Sequence, residues 1–157
     1  MAVHFLARTP KILAKRELID GNKTVVAPAA FTAVPGTRMK VNVLKYSVIE
    51  IQIQGAIEAT AAANLGLDLA ITSGGVTTRL GQALGLETIG VLLANINLAL
   101  PIAFSVWLDN LAEGEHTVEL QVLASAGNAL LHAAAASVPL RITVVEHPAI
   151  YPPPGVD

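Results

Sequence analysis

The 157-residue chain contains no cysteine, which excludes disulfides and thiol chemistry and leaves its redox compartment unread. Charge is scarce: Asp, Glu, Lys and Arg make up 14% of the residues, against ~25% in an average globular domain. Net charge is only -2, so no basic footprint marks a nucleic-acid partner. Aromatic residues are 4%, and Trp107, Phe104 and Phe31 are nearly all that is offered to a core. What is abundant is apolar: the 53% hydrophobic content excludes a disordered chain, and the length suits one domain with a substantial core. A soluble chain so poor in charge is expected to hide surface against neighbours, in an oligomer or a larger assembly.

Residues Met1 to Arg8 hold no basic stretch followed by a long apolar run, so no secretory signal is expected. The longest uncharged run, Thr88 to Leu108, has about the length of a membrane span. Asn95, Asn97 and Pro101 interrupt it, because buried amides are costly and proline breaks a helical ladder. Two buried strands joined near Pro101 are expected instead, with no membrane partner.

Period-two alternation dominates the chain, and it is the signature of strands. Ile49, Ile51, Ile53, Gly55, Ile57 and Ala59 share one face, while Glu50, Gln52, Gln54, Ala56, Glu58 and Thr60 take the other. Leu65, Leu67, Leu69 and Ile71 alternate with Gly66, Asp68, Ala70 and Thr72. Ile102, Phe104, Val106 and Leu108 alternate with Ala103, Ser105, Trp107 and Asp109. Two further stripes are Val118-Leu120-Val122 and Leu140-Ile142-Val144. Turn clusters lie between them, among them Asp20-Gly21-Asn22, Val34-Pro35-Gly36, Ser73-Gly74-Gly75, Glu113-Gly114-Glu115 and Ala126-Gly127-Asn128. Many short strands separated by such turns predict a sandwich or barrel of about eight strands. The predicted core is Ile49, Ile51, Ile53, Leu67, Leu69, Phe104, Val106, Val118, Leu120, Ile142 and Val144.

Ala61-Ala62-Ala63 and Ala133 to Ala136 are too short to stand as helices and read as loops. Arg79 to Glu87 fits neither pattern cleanly, because its glycines disfavour a helix without marking a strand. The proline-rich end, His147 to Gly155, must be extended. The first residues carry the only basic cluster, Arg8, Lys11, Lys15 and Arg16, together with Phe5, Leu6, Ile12, Leu13, Leu18 and Ile19. They read either as an N-terminal arm that docks on a partner or, over Lys11 to Ile19, as the first strand of the sandwich.

No zinc-protease helix, P-loop, dinucleotide fingerprint or calcium loop is present. His4, His116, His132 and His147 show no ligand spacing and read as solvated or hydrogen-bonded histidines. Asp68 and Asp109 occupy outward strand positions and read as solvated acids, and Asn22-Lys23-Thr24 reads as a turn. No catalytic, metal or cofactor residue is expected, and neither is enzyme activity.

Two stretches carry a family resemblance. Ala30 to Gly36 leads through Met39 to Val43 into the long strand Val48 to Thr60. Later, Val106-Trp107-Leu108-Asp109 and Ala112-Glu113-Gly114-Glu115-His116-Thr117-Val118 close towards Leu140 to Glu146. This pattern resembles the small jelly-roll domains of tailed-bacteriophage virion proteins, the decoration, head-fibre and fibre-tip type that is similar in shape to tumour necrosis factor. The resemblance implies an all-β antiparallel jelly-roll sandwich over 25–147, an N-terminal arm or first strand over 1–24, and an extended tail over 148–157. It implies a structural virion protein, a capsid decoration or head-fibre subunit forming homotrimers on the major capsid or another virion protein. The alternative it leaves open is the receptor- or carbohydrate-binding tip of a fibre or spike. Trp107, Ser105 and Ala103 project from the face opposite the predicted core and are the expected subunit interface. Phe5, Arg8, Lys11, Ile12, Lys15 and Arg16 are the expected particle attachment.

Overall fold

A computed structural model describes residues 9–83, 90–94, 99–109, 111–133 and 139–148. In chain order the strands are β1 (Lys11–Leu18), β2 (Lys23–Val25), β3 (Thr32–Ala33), β4 (Met39–Val43), β5 (Ser47–Ala59), β6 (Ala63–Ser73) and β7 (Val76–Arg79). A single helical turn, α1 (Leu80–Ala83), precedes β8 (Gly90–Ala94), β9 (Leu100–Leu108), β10 (Gly114–Ala124), β11 (Ala129–Leu131) and β12 (Leu140–Pro148).

The strands form two antiparallel sheets of six segments each. In the first, β9 lies along one edge of β5, while β12 and β11 lie end to end along the other and carry β1 and β2 outside them. In the second, β4 and β3 lie end to end along β10, β10 pairs with β6, and β7 and β8 share the far edge of β6. Each sheet is thus four positions wide. Numbered along the chain, the eight positions stand in the spatial orders 1-8-3-6 and 2-7-4-5. Every ladder inside the pairs 1·8, 2·7, 3·6 and 4·5 is one that a single long hairpin would make. Its tip is the turn at Gly74-Gly75, both at positive φ, and its two arms are rolled together into a jelly roll.

Alternation drives the rolling, since each strand must bury one face. Ile49, Ile51, Ile53 and Ile57 of β5 are fully buried against Leu65, Leu67 and Leu69 of β6, Leu120 of β10 and Ile142 and Val144 of β12. Each such side chain contributes about 1.5–3 kcal/mol by leaving water. Phe104 and Val106 depart from the expected core in being only half-buried. They sit on β9, which among the described residues has a neighbouring strand on one side only.

Of the two readings of the N-terminal residues, the structure takes the first strand: β1 pairs along its length with β12, and β2 crosses the expected boundary at residue 24. As an edge strand β1 buries only Leu18, so charges occupy it without the clean alternation that betrays a strand. The expected tail boundary also moves, because β12 runs through Pro148, which pairs with Ser47. The joint expected near Pro101 falls between β8 and β9, with Pro101 itself the second residue of β9. Ala63 opens β6, leaving only Ala61 and Ala62 as a bend. The expectations for residues 1–8, Asn95 and Asn97, Ala134 to Ala136 and 149–157 lie outside the described residues. Among the described residues, no helix is long and apolar enough to cross a membrane.

One end of the sandwich is welded by its loops. Asn128 accepts the Ala27 N–H on its side chain at 2.9 Å, donates its own N–H to Thr60 Oγ1 at 2.8 Å and accepts the Thr60 N–H at 3.0 Å. Ser125 and Asn64 are bonded reciprocally, and Ala124 N–H reaches Pro28 O. Gly127, at φ +66°, sits so close beneath this weld that an added Cβ would lie 2.9 Å from atoms of Thr60 and Ala61. Gly74, at φ +56°, has nothing within 4 Å of such a Cβ. We therefore expect Gly74→Ala to cost about 1 kcal/mol from backbone conformation, and Gly127→Ala to cost about 1–3 kcal/mol more from overpacking. Urea denaturation midpoints of the two variants measure the difference, and equal losses would refute the weld.

Candidate functional site

The outer face of the β5 sheet gathers the polar chemistry of the molecule. Residues directly opposite on paired strands share a face, and strands lie ~4.8 Å apart. The registers therefore lay three rows across this sheet. Ile12, Val145, Glu50 and Trp107 form one; Lys15, Thr143, Gln52 and Ser105 the next; Glu17, Arg141, Gln54 and Ala103 the third. The expected interface residues Trp107, Ser105 and Ala103 do occupy one exposed surface, and Trp107 is 55% exposed.

Beside Trp107 lies a cluster that sequence reasoning had divided among a wet strand face and a solvated or hydrogen-bonded histidine. Glu50 is only 8% exposed. Gln52 Nε2 donates to its Oε1 at 2.9 Å, and His147 Nε2 lies 3.0 Å from its Oε2. A carboxylate only accepts, so the proton of this pair sits on His147 Nε2. The Gln52 hydrogen bond holds the Glu50 carboxyl below the usual range despite the opposing effect of burial, with further help from His147 and Ser105. The Trp107 and His147 rings are 4.8 Å apart and inclined at 36°. His147 is thus held between a buried acid and an exposed indole. A second pair of the same kind, Glu58 with His132 at 3.0 Å, stands at the other end of β5.

The attachment residues separate. Lys15 lies 3.5 Å from Glu17, which also accepts from Arg141 Nε at 3.1 Å. Arg16 Nη2 donates to the Arg38 carbonyl, tying β1 to the chain entering β4. Lys11 and Ile12 are exposed at the outer end of β1, while Phe5 and Arg8 lie outside the described residues.

Asp68 corrects the expectation of a solvated acid, for it is fully buried on the outer face of the β6 sheet. The chain after β7 folds back over it. It accepts the N–H groups of Leu69 and Gly81 at 2.8 and 3.0 Å, and Arg79 Nη1 at 3.1 Å. The Arg79 guanidinium lies 4.2 Å from the centre of the Phe31 ring, and that ring rests on Gly66, where a Cβ would come within 3.1 Å of it. A hollow of about 560 Å³ opens alongside, lined by Ala29, Ala30, Phe31, Arg79 and Leu123. This acid acts as a clamp, because its oxygens are taken by groups that close the fold. Asp109 is exposed as expected, and His116 is buried with Nε2 2.7 Å from Ala112 O. Among the described residues no three metal-ligating side chains cluster.

Two outcomes follow. Arg79→Met leaves a buried carboxylate without its cation, and we expect a loss of about 3–5 kcal/mol by chemical denaturation. Glu50 gains its stabilising effect while ionised, because its folded-state pKa lies below the unfolded one. Glu50→Gln is therefore expected to lower the melting temperature at pH 7. The gap from the unsubstituted protein should close as pH falls below the ordinary carboxyl range; a constant gap would contradict the assignment.

No protein-family model matches the sequence, and no curated protein matches it. Among solved structures, the chain superposes on the structure of infectious bursal disease virus, Gt strain, with a TM-score of 0.54 and 8% identity, over 91% of this chain and 39% of that one. A structure of T=1 particles derived from the same virus gives a TM-score of 0.52 at 9% identity, over 91% and 37%. The chain therefore spans less than two fifths of those viral chains. The CBM22-1 xylan-binding domain of Paenibacillus barcinonensis Xyn10C matches with a TM-score of 0.47 at 14% identity, over 91% and 99%. Together with the strand order, the likeness to the viral chains establishes the fold: an all-β, two-sheet antiparallel sandwich of the jelly-roll kind.

Proposed function

We propose that this chain is a structural subunit of a virus particle, a decoration or head-fibre protein of the tailed-phage type, which acts in the virion by self-assembly. The observation that carries the reading is Trp107, exposed in a strand without a single charge, on the outer face of a jelly-roll sheet. Exposed tryptophan on such a surface favours a partner that covers it. The scarcity of charge over the whole chain points the same way, and the fold likeness to viral particle proteins supports it by analogy.

The partner is first of all another copy, in a closed trimer that brings Trp107, Ser105 and Ala103 of each subunit to the contact. A capsid protein is the second partner. Of the expected attachment residues that the structure describes, Lys11 and Ile12 remain best placed to meet it, since Lys15 and Arg16 already have partners within the chain. A carbohydrate-binding tip is the competing reading, favoured by the exposed indole standing beside the side chains of Gln52 and Ser105.

Light scattering after size exclusion tests the choice. We expect a trimer mass at micromolar concentration, and Trp107→Glu to yield a folded monomer with an unchanged circular dichroism spectrum. A monomer in the unsubstituted protein would overturn the assembly reading, and glycan-array binding by that monomer would favour the tip.

A further inference from the structure

We propose that the free edge of β9 is a self-pairing surface, along which a second copy of the chain adds its own β9, antiparallel, about a twofold axis at Ser105. The inference goes beyond the trimer reading, which uses side chains on the outer face of this strand and not its edge. A strand edge presents unpaired N–H and C=O groups, and proteins guard such edges with charge, bulges or brevity. Among the described residues, three of the four sheet edges are guarded. β1 carries Lys11, Lys15, Arg16 and Glu17 and an irregularity between Ile12 and Ala14, and β2 beyond it is three residues long. β4 and β3 have five and two residues, and β7 and β8 four and five. β9 runs unbroken for nine residues without a charged side chain, and its one neighbour is β5.

The registers show which backbone groups on that edge are free. Ala56 O accepts the His132 N–H at 2.9 Å, and Thr60 N–H donates to Asn128 O at 3.0 Å. Even-numbered residues of β5 therefore turn their backbone groups towards β11 and β12. The odd-numbered ones turn theirs to β9, where Ile51 meets Val106 and Ile53 meets Phe104. Ala103, Ser105 and Trp107 are left to aim N–H and C=O away from the sheet. Pro101 shares their parity, and the solvent side of an edge strand is where a missing N–H is tolerated.

These groups fit a second β9. Pairing about Ser105 sets it against Ser105 of the second copy, and sets Ala103 against Trp107 of that copy. Each such pair exchanges two hydrogen bonds, about six in all, and uses all three free N–H groups. A shift towards the strand start would spend a pair on Pro101, which has no N–H to give. A shift the other way would draw in Asp109, beyond the strand end. On the inner face, the register about Ser105 sets Phe104 beside Val106 of the second copy, covering the two residues that β9 leaves half-buried. Pairing with β1 of another copy would instead lay Lys15, Arg16 and Glu17 beside a strand that offers no counter-charge. The contact is small, so it acts where copies are already concentrated, as on a trimer that presents several edges at once.

Amide hydrogen exchange read by NMR, with sedimentation alongside, tests the pairing as concentration rises from micromolar to millimolar. We expect the mass of the micromolar species at least to double. The Ala103, Ser105 and Trp107 amides should exchange about tenfold more slowly once about nine in ten edges are paired. Phe104 and Val106, bonded to β5, should stay slow throughout. Ser105→Pro removes the central outward N–H and spares the ladder to β5. It should keep the circular dichroism spectrum and abolish the doubling; if it fails to fold, exchange in the unsubstituted protein decides. Exchange at the three amides that ignores concentration, or a doubling that survives in folded Ser105→Pro, would overturn the inference and leave the trimer reading standing. Accompanying slowing along β1 would reveal head-to-tail contact and overturn the twofold. A monomer at micromolar concentration would overturn the trimer alone, and its pairing into dimers with the same slowed amides would still support the edge contact.

Discussion

Backbone pairing along both edges of β5 is the interaction on which the rest of the molecule depends. This 13-residue strand is held by β12 and β11 on one side and by β9 on the other, so few of its amide groups face solvent. A strand flanked in this way can face in only one sense. Its isoleucines must then be the floor of the core, and its carboxylates and amides must lie on the outer surface. The partner sheet is placed by the same demand, because β6 leaves β5 through a short bend and brings its leucines over those isoleucines. The polar cluster at Glu50 is thus a by-product of the register that builds the core.

Much of the architecture was legible because the strongest strands are those whose two faces differ. The Ile and Leu stripes of β5, β6, β10 and β12 announced both their strand character and their inner residues. Legibility fell at the edges, where one side of a strand meets water and alternation loses its purpose. The β1 sequence Lys11-Ile12-Leu13-Ala14-Lys15-Arg16-Glu17-Leu18 has no stripe, and it departs further through an irregularity between Ile12 and Ala14. Phe104 and Val106 kept the stripe but not the burial, for the same reason.

The side-chain clusters were less legible, because they join residues far apart in the chain. Glu50 and His147 are 97 positions apart, and Asp68 is closed over by a segment that had no recognisable pattern. Alternation assigned Asp68 correctly to the outer face of its strand. That the outer face is itself covered there depends on where α1 and Phe31 fold, and no periodicity encodes that. The parity of His147 with Val145 and Thr143 did hold the information that it faces the same way as Glu50. It became usable only once the β5–β12 register was known.

The pairing of β1 with β12 has one more consequence. Lys11 and Glu146 are cross-strand partners, so the chain enters and leaves the sandwich side by side, about 5 Å apart. A domain with adjoining entry and exit can be spliced into a loop of another protein without prising its host apart. It can equally be strung between flanking segments that return to the same point. In either setting the welded loops at Ala27, Thr60 and Asn128, at the opposite end of β5 from Ile49, would lie farthest from the host.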